Sequence, residues 1–196
     1  MRASFPAIPL LTTLLTALTA SQAHSTTSEF QTCLANLQER ARQQSLPPHA
    51  IATIGAMEQQ QQVLELDRKQ PEFTQTFGHY LATRLTHERI RKGRELYVRH
   101  RAFLDQLALQ YGVPGQYLVA FWGLETNFGG YLGNMPTLDS LATLACDPRR
   151  DGYFSSEFLT ALRVMEREAL QPEQMRGSWA GAMGHTQFMP SNYLKY

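Results

Sequence analysis

At 196 residues, 43% hydrophobic and 18% charged, the chain can bury a sizeable core and is too apolar for a disordered segment. Its 18 basic and 17 acidic residues leave a formal charge of +1, without the basic excess of a general nucleic-acid binder. A folded module remains, and its task has to be read from motifs.

The chain begins MRASFPAIPLLTTLLTALTASQAHS. Arg2 supplies a charged start, an apolar stretch runs from about Ala7 to Ala20, and Ser21 and Ala23 stand where a signal peptidase reads small residues. This pattern predicts a signal peptide over residues 1–23, cut after Ala23, and export to the periplasm. The alternative is a membrane anchor, but the stretch is short and threonine-rich for about 30 Å of hydrocarbon. No cysteine follows the cut, so no lipid anchor is expected, and no stable membrane insertion after cleavage. Two cysteines remain, Cys33 and Cys146. An oxidising compartment favours a disulfide between them, and two buried free thiols are the alternative. The six histidines are scattered without the close pairing of a zinc site, so no metal is expected.

Beyond this segment the periodicity is helical, with no alternating run long enough for a strand. EFQTCLANLQERARQQ (29–44) sets Phe30, Cys33, Leu34 and Leu37 on one stripe. The segment 46–71 predicts a second helix, introduced by Pro47 and Pro48 and stopped at Pro71. A long third helix is expected from about Thr86 to Tyr111, with Ile90, Tyr97, Leu104 and Tyr111 seven apart. It is rich in arginine: Arg84, Arg89, Arg91, Lys92, Arg94, Arg99 and Arg101 stand against Glu88 and Glu95. A solvated face is the plain reading, and an anionic partner such as a cell-wall polymer is the functional one.

YGVPGQ then opens an apolar helix, YLVAFWGLETNFGG, that ends in a glutamate. Glu125 follows Phe121 by four residues and so lies beside the apolar stripe, in the last turn before Gly129 and Gly130. Burial and the negative end of the helix dipole would both favour its protonated form, as a general acid requires. Helix-end glutamates are common, so this alone does not establish catalysis.

GSWAGAMGHTQFMPSNY (177–193) combines small, polar and aromatic residues. Gly177, Gly181 and Gly184 permit close backbone approach. Ser178, Gln187 and Asn192 offer hydrogen bonds, and Trp179, Phe188 and Tyr193 offer flat faces. A saccharide, apolar on its ring face and hydroxylated at its edge, suits that mixture.

Taken together, YGVPGQYLVAFWGLETNFG, LDSLATLACDPRR and GSWAGAMGHTQFMPS closely resemble the lytic murein transglycosylase B family, over roughly Phe30 to Tyr196. VLELDRKQPEFTQTF (63–77) is similar to a segment that such proteins carry upstream. The resemblance implies an all-α, lysozyme-like fold, with residues 24–110 as an N-terminal helical part and 111–196 as the first part of a catalytic domain. It implies Glu125 as the catalytic acid and base, Ser178 and Gln187 in the saccharide cleft, and, on a weaker match, Arg149 and Arg150 toward anionic parts of the substrate. For the two arginines an exposed loop after Pro148 is the competing reading.

The implied reaction is cleavage of peptidoglycan glycan strands with formation of a 1,6-anhydro end, without metal or other cofactor. A peptidoglycan hydrolase using water, or an inactive wall-binding protein, are the rival readings. Members of the family continue well beyond the residues matching MPSNYLKY, so this sequence is expected to be less stable and less active than a full-length relative.

Overall fold

The computed structural model describes residues 17–69 and 75–196, with side chains from residue 28 onward. Most of the predicted signal peptide, and the predicted stop at Pro71, therefore lie outside the described residues. The first element, α1 (Ala17–Gln43), carries Phe30, Leu34, Leu37 and Ala41 on one buried stripe, with Cys33 at its edge.

The single helix expected over 46–71 is two: α2 (Pro48–Ile54) and α3 (Gln61–Lys69). Gly55 ends α2, and the extended link that follows turns its backbone toward a later helix, α8 (Thr137–Ala145). Glu58 N–H donates to Asp139 Oδ1 at 2.7 Å and Gln60 N–H to Thr143 Oγ1 at 2.9 Å. Those two acceptors stand one turn apart on α8, so this link gains from tertiary bonds what a continued helix would have supplied internally.

α4 (Phe77–Arg84) and α5 (His87–Arg99) start at threonine caps, Thr76 and Thr86, whose hydroxyls accept the N–H of His79 and Arg89. The expected long helix to Tyr111 is broken at His100, where α5 gives way to α6 (Arg101–Tyr111). The break lets both pieces pack on α7 (Gly115–Thr126), with Leu96, Leu104 and Val119 buried between them. Gly115 makes that approach possible, since an added Cβ would stand 2.7 Å from Leu104 Cβ.

The main core lies elsewhere. α8 is buried along nearly its whole length, and α9 (Asp151–Arg167) packs on it through Phe154, Phe158, Leu159, Leu162 and Met165. Each such side chain removed from water contributes about 1.5–3 kcal/mol. α1, α2 and α3 close the other sides of this core, and Cys33 is bonded to Cys146 with the Cα atoms 5.8 Å apart. The strands are two residues each: β1 (Met135–Pro136) pairs antiparallel with β2 (Arg176–Gly177), Met135 opposite Gly177. The chain then folds through a loop into α10 (Pro190–Lys195), whose first turn is held by Ser191 N–H donating to buried Glu157 at 2.9 Å.

α4 to α7 keep much apolar surface in the open, including Phe77, Val98, Phe103, Leu109 and Phe121. Between α5 and α7 lies a cavity of about 560 Å³ whose walls include Leu85, Ile90, Tyr97, Val119 and Phe128. No described helix is long and apolar enough to cross a membrane.

Candidate functional site

Glu125 is exposed, contrary to the burial expected from its apolar helix. The buried residues of α7 are Gly115, Val119, Gly123 and Thr126. Tyr117, Phe121 and Leu124, the apolar residues that Glu125 accompanies, face outward with it. Its carboxyl forms no hydrogen bond or ion pair with another described residue. The helix end stops where expected, with Asn127 in the left-handed conformation at φ 50°.

The turn carrying Glu125 is held from both sides. Trp122 Nε1 donates to His185 Nδ1 at 3.0 Å, and Thr126 Oγ1 donates to the His185 carbonyl at 3.0 Å. Buried Thr126 also accepts the Gly129 N–H at 3.0 Å, which curls the chain back after the helix. Trp122 is wedged edge-on against Phe128, His100 and His185, at ring separations of 5.7, 6.3 and 5.9 Å. Two glycines permit the close fit of the loop that follows. Gly129, at φ 79°, leaves room for the His185 ring, and Gly133, at φ 90°, lies against the Gly177 backbone.

Ser178 and Gln187 stand in the loop that this turn grips. Ser178 Oγ accepts the Ala182 N–H at 3.0 Å. The Gln187 amide donates to Leu132 O at 3.1 Å and Gly184 O at 3.0 Å, joining the loop after Glu125 to the loop before α10. These bonds leave the Ser178 hydroxyl hydrogen and Gln187 Oε1 available to a ligand. Of the three aromatic residues expected as saccharide platforms, Trp179 and Tyr193 pack on the core and Phe188 is exposed.

Arg149 and Arg150 both pair with buried carboxylates, while their own side chains stay 53% and 39% exposed. Both Arg150 Nε and Nη2 reach Asp67 Oδ1, at 3.0 and 2.7 Å, while Arg149 bridges Asp67 and Asp147 at 2.8 and 2.7 Å. Asp67 lies on α3 with its side chain 1% exposed, so the pair fastens α3 to the α8–α9 turn. Arginine beside Asp147 holds that carboxyl below its ordinary value. On α8, burial pushes the Asp139 carboxyl up, partly offset by the Glu58 N–H it accepts.

The arginine-rich segment is likewise occupied in part. Arg91 pairs with Glu95 at 2.6 Å, and Lys92 lies over the Phe128 ring, 5.4 Å from its centre. His185 and Trp122 were not singled out in the sequence. The signal available was their place inside the two motifs that carry Glu125, Ser178 and Gln187.

Known proteins resemble this chain in sequence and in fold. Membrane-bound lytic murein transglycosylase B of Escherichia coli (strain K12) is 39% identical over 113 residues, which cover 57% of this chain and 31% of that protein. SltB3 from Pseudomonas aeruginosa, solved with NAG-NAM-pentapeptide, superposes with a TM-score of 0.78 at 33% identity, covering 85% of this chain and 45% of that one. The Escherichia coli lytic transglycosylase Slt35, solved with bulgecin A, gives 0.75 at 29% identity, covering 84% and 54%. This chain thus spans about half the length of those solved relatives, and shares their all-α, lysozyme-like fold. The family described as "Transglycosylase SLT domain" matches residues 29–196, and the chain belongs to it.

Proposed function

We propose that this chain carries the catalytic glutamate of a lytic transglycosylase acting on peptidoglycan, cleaving the β-1,4 bond between N-acetylmuramic acid and N-acetylglucosamine. The observation that carries the reading is Glu125: an exposed carboxyl without a partner in the described protein, on a helix end fastened to a loop of polar groups. A carboxyl held in place yet left unpaired is suited to exchange a proton with a ligand. SltB3 has been solved with both NAG-NAM-pentapeptide and NAG-anhNAM-pentapeptide, and those sugars correspond to the substrate and product of this reaction.

Glu125 in its acid form donates a proton to the glycosidic oxygen as the bond to the muramic anomeric carbon breaks. The resulting carboxylate accepts the proton of the muramic C6 hydroxyl, whose oxygen attacks that carbon and closes the 1,6-anhydro ring. The N-acetyl group assists at the cationic stage. No water is consumed, and one carboxyl serves where ordinary glycosidases use two. Glu125 is open to solvent among the described residues, and a glycan lying over the carboxyl would exclude water from it. Ser178 and Gln187 contribute their remaining hydrogen and Oε1 to saccharide hydroxyls.

The leader-like residues 1–23 and the Cys33–Cys146 bond support export to the periplasm, with the mature chain starting at His24. Intact mass of exported protein checks that start.

Glu125→Gln keeps the side-chain shape and can neither donate nor accept the transferred proton. Release of fragments with anhydro ends from purified peptidoglycan should fall by about 10²–10⁴. Binding to insoluble peptidoglycan and the helical signal should persist. A glutamine variant with most of the wild-type rate would refute the assignment, and products one water heavier would make the protein a hydrolase.

A further inference from the structure

The two bonds that hold the end of α7 converge on one residue. Trp122 and Thr126 are four apart on the helix, flank Glu125 in sequence, and both donate to His185, one to its ring and one to its carbonyl. Two anchors one turn apart fix the rotation of that turn as well as its height. His185 is exposed, but one side of its ring rests against Gly129, where an added Cβ would stand 2.7 Å from Nδ1.

An indole N–H only donates, so the Nδ1 it meets has to present a lone pair. His185 is therefore held as the tautomer with its proton on Nε2. We propose that His185 is the positioning residue for Glu125: through an unprotonated Nδ1 and its carbonyl it sets where the carboxyl stands relative to the saccharide loop. The inference rests on the reaction proposed above.

The effect is on geometry. A misplacement of about 1 Å at a reacting group can cost on the order of 10² in rate. Removing one anchor should therefore lower kcat and leave KM nearly unchanged, because the groups that grip the glycan stay in place.

The test compares wild type with His185→Asn, His185→Phe and Trp122→Phe in the release of anhydro-ended fragments from purified glycan strands. Asparagine places its Oδ1 where Nδ1 stood and keeps an acceptor for the indole, whereas phenylalanine keeps only the ring. H185F and W122F should lose about 10- to 100-fold in kcat. H185N should stay within a few-fold of wild type, and should give no such protection when W122F is also present. Ring ¹⁵N NMR at neutral pH should find Nδ1 of wild-type His185 unprotonated.

Wild-type kcat in H185F, equal damage from H185N and H185F, or a proton on Nδ1 would each overturn the proposal. If H185F does not fold, the W122F variant and the H185N rescue still decide it. Should the wild-type chain release no fragments, the proposed reaction is what has failed, and the ring NMR still judges the hydrogen bond.

Discussion

Asp67 is a buried carboxylate whose two oxygens are both occupied by guanidinium groups. Asp67→Asn would leave Arg149 and Arg150 without that charge while keeping the shape of the side chain. Bonds to charged groups are worth more than neutral ones, and the arginines, being half exposed, regain some hydration. The expected loss is about 2–3 kcal/mol, read from urea unfolding, and an unchanged midpoint would show the clasp to be decorative. Asp147 gives a pH signature. Its carboxyl is held low by the Arg149 hydrogen bonds, so its contribution is complete above the unfolded carboxylate value of about 3.9. That contribution disappears as pH falls through the lower folded value. The stability gap between wild type and Asp147→Asn should therefore be full at about pH 6 and close in strong acid. A gap that widens on acidification would contradict the assignment.

Elements show where the sequence is readable and where it is not. The α1 stripe of Phe30, Leu34 and Leu37 is legible because polar residues separate the apolar ones, which gives the period a phase. α7 is apolar on nearly every side from Tyr117 to Leu124, so its pattern marks a helix without saying which face is inside. That is why Glu125 was expected to be buried and is exposed. The breaks at Gly55 and His100 are set by packing on α8 and α7, information that local periodicity does not hold. The partner of the arginine pair is hidden from local pattern for a similar reason: Asp67 is 82 and 83 residues away in sequence. The polar loop of Ser178 and Gln187 was visible from composition, but its grip on the Glu125 turn through His185 was not. Gly133 tests that grip at the level of the loop. Alanine there would need a positive φ and a Cβ inside the Gly177 backbone. Gly133→Ala should cost at least about 2 kcal/mol in thermal or urea unfolding and loosen the β1–β2 pairing. A variant as stable as wild type would show that the loop can shift.

Across the whole molecule the Cys33–Cys146 bond joins the first described helix to the turn after α8, 113 residues apart. Closing a loop of that size should stabilise by roughly 4–5 kcal/mol on the chain-entropy account. Reduction should move the urea midpoint down accordingly, and a midpoint indifferent to reductant would rule this out. The same ring has a topological result. Trp122, Glu125 and Thr126 lie within the stretch between the two cysteines, while His185 and Gln187 lie beyond it. A protease that severs the backbone once between residues 33 and 146 yields two fragments still tied by sulfur. Both halves of the candidate site then travel as a single covalent species. Such a nicked protein should migrate as one band without reductant and as two with it.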